Sequence, residues 1–287
     1  MPLISIITTV LNDKEGFELT AKSIISQTSL KDIEWIVIDA ASTDGTVDVI
    51  RKYSSNISYW VSEPDKGIYD GMNKGIAKAT GQYLLFLNAG DTLHSQNTIE
   101  TVITHKDFGH YDYLSGHTVY TLNEKAIGTG LAPNSITGAF FFKKSLGHPS
   151  TFIRTDRLKG MGGYDTSYKI VADAKFFFED IILKNASYKK IDHIISEFDY
   201  SGISSTKYQE TYEEHKRFLT ELLPLRIYKD YKRMNLGETQ LERILCKLQE
   251  KDFLYKLITL SAILFYAPTA FCNRAKMFWK RIMKKTK

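Results

Sequence analysis

The stretch from Val61 to Asp91 constrains this chain's fold more than any other. It reads as a polar loop, an amphipathic helix, a buried strand and then a carboxylate at the strand's end. Ile68, Met72, Ile76 and Ala79 recur at helical spacing, which predicts a helix with one apolar face. Gly81 follows where a helix C-terminus is commonly capped. Tyr83 to Leu87 is a continuous apolar run, short enough for a central strand covered on both faces. In open α/β sheets such strands deliver polar residues to the carboxyl edge, where ligands bind. The residues delivered here are Asn88 and Asp91, with Ala89 and Gly90 keeping the corner small.

The same alternation precedes this stretch. Ile4 to Val10 predicts a first strand, broken by Leu11, Asn12 and Asp13. A helix with Phe17, Ala21, Ile24 and Thr28 on one face follows, then a strand over Ile33 to Ile38. Asp39 to Thr46 is a polar turn in which Ser42 or Thr43 is placed to cap the next helix. Ile57 to Val61 predicts a third strand. Strand, helix and strand in this order predict an α/β fold, a mostly parallel central sheet flanked by helices. After Asp91 the pattern loosens. Short strands are expected at Tyr111 to Ser115, Thr118 to Leu122, Ala139 to Phe142 and Thr151 to Arg154, with one or two more between Ser187 and Phe198. Gly162 to Asp165 is turn chemistry leading towards a helix.

Two motif groups, Ile38 to Thr46 and Val61 to Asp91, together resemble family 2 of the glycosyltransferases. The narrower likeness is to its bacterial exopolysaccharide and surface-glycan branch, including colanic-acid-type enzymes. That branch shows a D-G-G-S-T-D-G-T turn, then S-E-x-D-x-G-I-Y-D-A-M-N-K-G, then L-N-A/S-G-D. The likeness covers roughly the first two hundred residues, and several motifs in the right order make it specific. It implies the GT-A nucleotide-diphospho-sugar transferase fold over residues 1–206, with a helical C-terminal extension over 207–287.

The resemblance assigns roles residue by residue. Asp39, at the end of the second strand, would contact the donor's nucleotide. Thr9, Leu11 and Asn12 lie where the family's first strand edge holds the base, and Leu11 replaces the usual tyrosine. Asp65, Lys66, Asp70 and Asn73 would meet the sugar or diphosphate. Met72 stands where the commoner pattern has an arginine, which leaves Lys66 or Lys74 for the diphosphate. Asp91 would bind a divalent cation, Mn2+ or Mg2+, since hard cations take oxygen ligands. The usual acidic cluster is here reduced by Asn88 and Gly90. His148, in an H-Q-S/T-like position, would assist diphosphate or metal binding. Asp173, paired with Ala172 after the Gly162 to Asp165 turn, would be the base that takes the acceptor's proton. Each residue also has a plain reading: a cap, a turn aspartate, a solvated lysine or a structural histidine.

The 287 residues carry a net charge of +5, with 43% hydrophobic and 25% charged residues, an ordinary globular balance. Cys246 and Cys272 form no metal spacing or disulfide framework, which fits a reducing, cytoplasmic compartment. The N-terminus has no basic region of the kind that opens a signal peptide. Leu257 to Phe271 is mostly apolar, interrupted by Pro268, and precedes Arg274, Lys276, Lys280, Arg281, Lys284, Lys285 and Lys287 with Phe278 and Trp279 between them. This tail reads either as an in-plane helix on an anionic membrane face or as a helix docked on the catalytic domain. The family's lipid-carried glycans favour the first reading, on the inner face of the cytoplasmic membrane. No nucleic-acid module accompanies the basic cluster.

The expected function is inverting, metal-dependent transfer of a single sugar from a nucleotide-diphosphate sugar, foremost a UDP-sugar, to a glycan or polyprenyl-linked acceptor. No Q-x-x-R-W motif of the processive synthases is present. The alternative is a non-catalytic sugar-nucleotide or glycan-binding protein on a decayed transferase scaffold. A dinucleotide oxidoreductase is excluded, because Leu11 to Gly16 lacks the G-x-G-x-x-G turn.

Overall fold

The structure, a computed structural model, describes residues 2–122, 125–200, 202 and 206–233. Strand β1 (Ile4–Val10) is buried along its whole length. It pairs in parallel with β2 (Ile33–Asp39) on one side and β4 (Tyr83–Phe86) on the other, and β2 pairs in parallel with β3 (Tyr59–Ser62). Side chains alternate across the sheet. Ile4, Ile6, Trp35, Val37 and Leu85 join one apolar cluster with Phe17, Ala21 and Ile24 of α1 (Lys14–Ile25) and Val49 and Ile50 of α2 (Thr46–Lys52). On the opposite face α3 (Ile68–Lys78) packs so closely that a Cβ on Gly75 would meet Ile7 at 2.5 Å. The period-2 pattern of a doubly covered strand is therefore filled on both sides.

Beyond β4 the sheet turns mixed. Its order is β3-β2-β1-β4-β8-β6-β9-β5, with β7 beside β6. Here β5 is Thr92–Leu93, β6 Tyr113–Leu122, β7 Lys125–Gly130, β8 Thr151–Arg154 and β9 Tyr188–Asp199. The two short strands expected around Tyr111 to Leu122 are one long strand.

Three local expectations are corrected. Ala139 to Phe142 is not a strand; Gly138–Phe141 is a short helix capped by Phe142, and of Phe140, Phe141 and Phe142 only Phe141 is fully buried. The buried face of α3 holds Met72, Ile76 and Ala79 as expected, but Tyr69 is buried at its start in place of Ile68, which is 38% exposed. Gly81 is not the helix cap, which falls at Ala79. A Cβ on Gly81 would lie 2.6 Å from the Ser5 backbone nitrogen, so close strand approach demands glycine there.

Met1–Tyr228 forms one compact unit and Lys229–Lys287 a second. The first runs past residue 206 because a C-terminal helix, Tyr208–Leu222, packs on it through Phe218 and Leu219. Phe218 meets Phe178 at 5.9 Å between ring centres. No helix among the described residues is long and apolar enough to cross a membrane. The apolar and basic tail, Leu257 to Lys287, lies outside them.

Candidate active site

The carboxyl ends of β1, β2, β3 and β4 meet at one edge and carry most of the sequence-predicted residues. Asp39 ends β2 and is fully buried. Its Oδ2 accepts hydrogen bonds from the Ser42 amide (3.0 Å) and the Ser62 hydroxyl (2.5 Å). Its Oδ1 is buried with no partner. An orphaned carboxylate oxygen is costly unless a ligand donates to it. The N–H edge of a nucleobase supplies such a donor. Asn12 (φ 49°) ties the neighbouring loops: its Oδ1 accepts from the Thr43 amide, and its own amide donates to Ser42 Oγ, both at 2.8 Å. Leu11 is 58% exposed beside it. Neither Ser42 nor Thr43 caps α2, whose N-cap is Gly45.

Thr9 Oγ1 donates to Asn88 Oδ1 at 2.7 Å, joining the ends of β1 and β4. Asp65 reaches the same corner. Its Oδ2 lies 3.1 Å, and the Thr9 methyl 3.4 Å, from where a Cβ on Gly71 would stand. Asp70 and Asn73 also make hydrogen bonds within the chain. Asp70 Oδ2 accepts from the Lys66 amide (3.0 Å). Asn73 accepts from the Tyr164 amide and donates to the Tyr164 carbonyl, both at 2.8 Å. Asn73 thus ties α3 to the glycine turn that precedes Asp173. Lys74 bonds to Glu63 at 2.8 Å, and the Lys66 side chain is exposed.

Asp173 stands in the first turn of the helix Ala172–Phe177. The Tyr69 hydroxyl lies 2.7 Å from both Asp173 Oδ1 and the Ile170 carbonyl. His148 Nδ1 is 4.0 Å from Asp173 Oδ2, beyond hydrogen-bond reach. His148 Nε2 pairs with the Tyr164 hydroxyl at 2.9 Å, and its ring packs tilted against Phe86 at 4.6 Å between ring centres. Burial pushes His148 below its ordinary value, against the pull of the Asp173 charge. A neutral imidazole beside a carboxylate is the result. Because Phe86 belongs to β4, the strand that delivers Asn88 and Asp91 also supports the histidine beside Asp173. Sequence reasoning missed Tyr69, Ser62 and Tyr164. Tyr69 was readable one step from Ile68 on the helical pattern, whereas Ser62 becomes a ligand to Asp39 only through strand pairing.

Asp91 is 5% exposed, and burial lifts its carboxyl to about 8; the backbone amide of Asp199 opposes this and the Asp199 carboxylate adds to it. The Asp199 amide lies 3.4 Å from Asp91 Oδ1. The Asp199 and Asp13 carboxylates face the same corner, 3.6 and 4.0 Å from where a Cβ on Gly90 would stand. This all-oxygen surrounding suits a hard divalent cation, which would also relieve the buried charge. Among the described residues no three acidic, histidine or cysteine side chains form a complete cation site. Diphosphate and water oxygens would have to complete a shell that Asp91 begins.

The family model for Glycosyl transferase family 2 matches residues 5–160. The chain belongs to glycosyltransferase family 2. An uncharacterised glycosyltransferase of Mycobacterium tuberculosis is 32% identical over 205 residues, 71% of this chain and 78% of the relative. A PGL/p-HBAD biosynthesis glycosyltransferase of Mycobacterium bovis is 29% identical over 181 residues, 61% of this chain and 68% of the relative. The resemblance to this family stands, and these relatives do not single out the colanic-acid type. Among solved structures, S. aureus TarS 1-349 in complex with UDP-GlcNAc superposes with a TM-score of 0.62 at 19% identity, covering 80% of this chain and 70% of that one. The mannosyltransferase PcManGT from Pyrobaculum calidifontis, in complex with GDP-Man and Mn2+, gives 0.59 at 13% identity, covering 93% and 81%. The α/β fold of this family 2 chain is thus shared with both, the GT-A architecture.

Proposed function

We propose that this glycosyltransferase moves a single sugar, with inversion, from a nucleotide-diphosphate donor to an acceptor hydroxyl in surface-glycan biosynthesis. The observation that carries the reading is the gathering of Asp39, with its unpartnered oxygen, and buried Asp91 at the sheet edge formed by β1, β2 and β4. Asp173 is linked to β4 through His148 and Phe86. Asp39 receives an N–H of the nucleobase, and the Asn12 loop shapes the base's surroundings. Thr9, Asn88 and Asp65 line the corner towards the diphosphate and sugar. Asp91 holds a divalent cation, Mn2+ or Mg2+, which when bound neutralises charge on the departing diphosphate.

Asp173 takes the acceptor's proton as the acceptor oxygen bonds to the anomeric carbon. The bond from that carbon to the diphosphate oxygen breaks on the opposite face, so the configuration inverts. Tyr69 holds one Asp173 oxygen, and neutral His148 leaves the carboxylate free to receive the proton. A UDP-sugar is the favoured donor, of hexosyl or N-acetylhexosaminyl type, in keeping with the UDP-GlcNAc complex of TarS. The acceptor is a glycan or polyprenyl-linked glycan, the lipid-linked form placing the enzyme at the inner face of the membrane.

The test is hydrolysis of a panel of nucleotide sugars with Mn2+, Mg2+ or EDTA, for wild type and Asp91→Ala. Turnover of one donor, lost in EDTA and in Asp91→Ala, is expected. Tight donor binding without turnover under any cation and with any glycan acceptor supplied would favour the non-catalytic binding protein.

A further inference from the structure

The helix bearing Asp173 has no side-chain cap of its own. Its N-cap is Val171, and the three amides leading into it converge on a carboxylate from far along the chain. Glu214 Oε1 accepts from the Lys169 amide at 2.8 Å. Glu214 Oε2 accepts from the Ile170 and Val171 amides at 2.9 and 3.2 Å. Backbone amides that no secondary structure pairs need acceptors, and one carboxylate supplies all three of these. The same C-terminal helix, Tyr208–Leu222, holds the preceding residues. The Arg217 guanidinium lies 3.6 Å over the Tyr168 ring and donates to the Ser167 carbonyl and hydroxyl, at 3.2 and 3.0 Å. The Tyr168 hydroxyl donates to Glu221.

Ile170 connects this grip to the chemistry. Its amide is held by Glu214, and its carbonyl lies 2.7 Å from the Tyr69 hydroxyl, which is equally close to Asp173 Oδ1. We propose that Glu214 is a positioning residue for Asp173, fixing residues 169–171 so that the base and its Tyr69 partner keep their geometry. The inference rests on Asp173 being the base. Activity then depends on a helix that lies outside the residues matched by the family model, 5–160.

Glu214→Gln tests this in the full chain. Glutamine leaves one acceptor oxygen and turns an N–H2 group towards the backbone donors. A shift of about 1 Å in a catalytic group lowers turnover about a hundredfold. Hydrolysis with Mn2+ is measured on whichever of UDP-GlcNAc, UDP-glucose, UDP-galactose and GDP-mannose turns over. Amide exchange is followed at residues 169–171 in parallel. Glu214→Gln is expected to lower kcat about 10- to 100-fold with donor KM unchanged and with faster exchange at those three amides. Glu213→Gln, whose side chain among the described residues pairs within its own helix, with Gln209 and Lys216, is expected to match wild type. A Glu214→Gln kcat within twofold of wild type, unchanged exchange, or an equal loss in Glu213→Gln overturns the proposal. Asp173→Asn, run alongside, separates the two claims: turnover retained there sinks the base assignment itself. Where Glu214→Gln does not fold, Arg217→Gln carries the same expectations and the same refutation. Where no donor turns over, amide exchange decides.

Discussion

Asp91 is held at a stability cost that substitution should remove. Its carboxyl ordinarily titrates near 3.8 and is lifted to about 8 in the folded chain. In the unfolded chain the proton leaves near the ordinary value. The folded state therefore binds more protons than the unfolded state between about pH 4 and pH 8, and stability falls as pH rises through that window. Each pH unit is about 1.4 kcal/mol, so the burial penalty at pH 7 is about 4 kcal/mol. The group is only 5% exposed, so solvent screening reduces this little. Asp91→Asn keeps an oxygen for the Asp199 amide and carries no charge. In EDTA it is expected to be more stable than wild type at pH 7 by up to about 4 kcal/mol, nearly equal near pH 4, and flatter in between. Urea denaturation across that range, followed by tryptophan fluorescence, measures this. Mn2+ should stabilise wild type and not the variant. A variant less stable than wild type at pH 7, or one whose pH curve runs parallel to it, would refute the reasoning. The gain in stability comes with lost activity, the exchange expected where a site is built for function.

Other outcomes follow from single contacts. Asp39→Asn is expected to weaken UDP binding about tenfold or more by calorimetry, since hydrogen bonds to charged groups contribute about 1.5–3 kcal/mol; unchanged affinity would remove Asp39 from the nucleotide site. Gly163 has φ 83°, and a Cβ there would stand 2.4 Å from Asn73 Oδ1, so Gly163→Ala should cost about 1–3 kcal/mol and lower kcat by moving the turn before Asp173. Thermal unfolding and steady-state kinetics check both. Asp180 is fully buried and bonds to Arg157 and Tyr113. Arg157→Met leaves that charge uncompensated and should cost about 3–5 kcal/mol in urea denaturation with donor KM unchanged.

The parallel half of the sheet was legible because β1 and β2 are rich in β-branched and apolar residues and β4 is an uninterrupted apolar run, each leading into polar residues. Their carboxyl edge, with Asp39, Asn88 and Asp91, follows from that pattern alone. Legibility ended where contacts are long-range. The run Phe140 to Phe142 has strand composition, yet its rings pack in different directions: Phe141 against Phe178 and Phe142 against Tyr228. Ile68 fits the helical stripe as well as Tyr69 does, and only the packing of α3 on the sheet selects the tyrosine. Asn73 sits in a motif that points to sugar, and its backbone partner 91 residues away is invisible in that motif. Glu214 gave no local signal, because a glutamate on a charged helix looks solvated until its three backbone donors are in place.

The most direct test of the central claim is steady-state turnover of the identified donor by Asp173→Asn beside wild type, with donor affinity measured on the same samples. The account predicts that kcat falls about 10²- to 10⁴-fold, the range for loss of a general base, while the donor Kd stays within about twofold of wild type because Asp173 touches the acceptor side. A variant that turns over at the wild-type rate, or one that loses donor binding along with turnover, would contradict it.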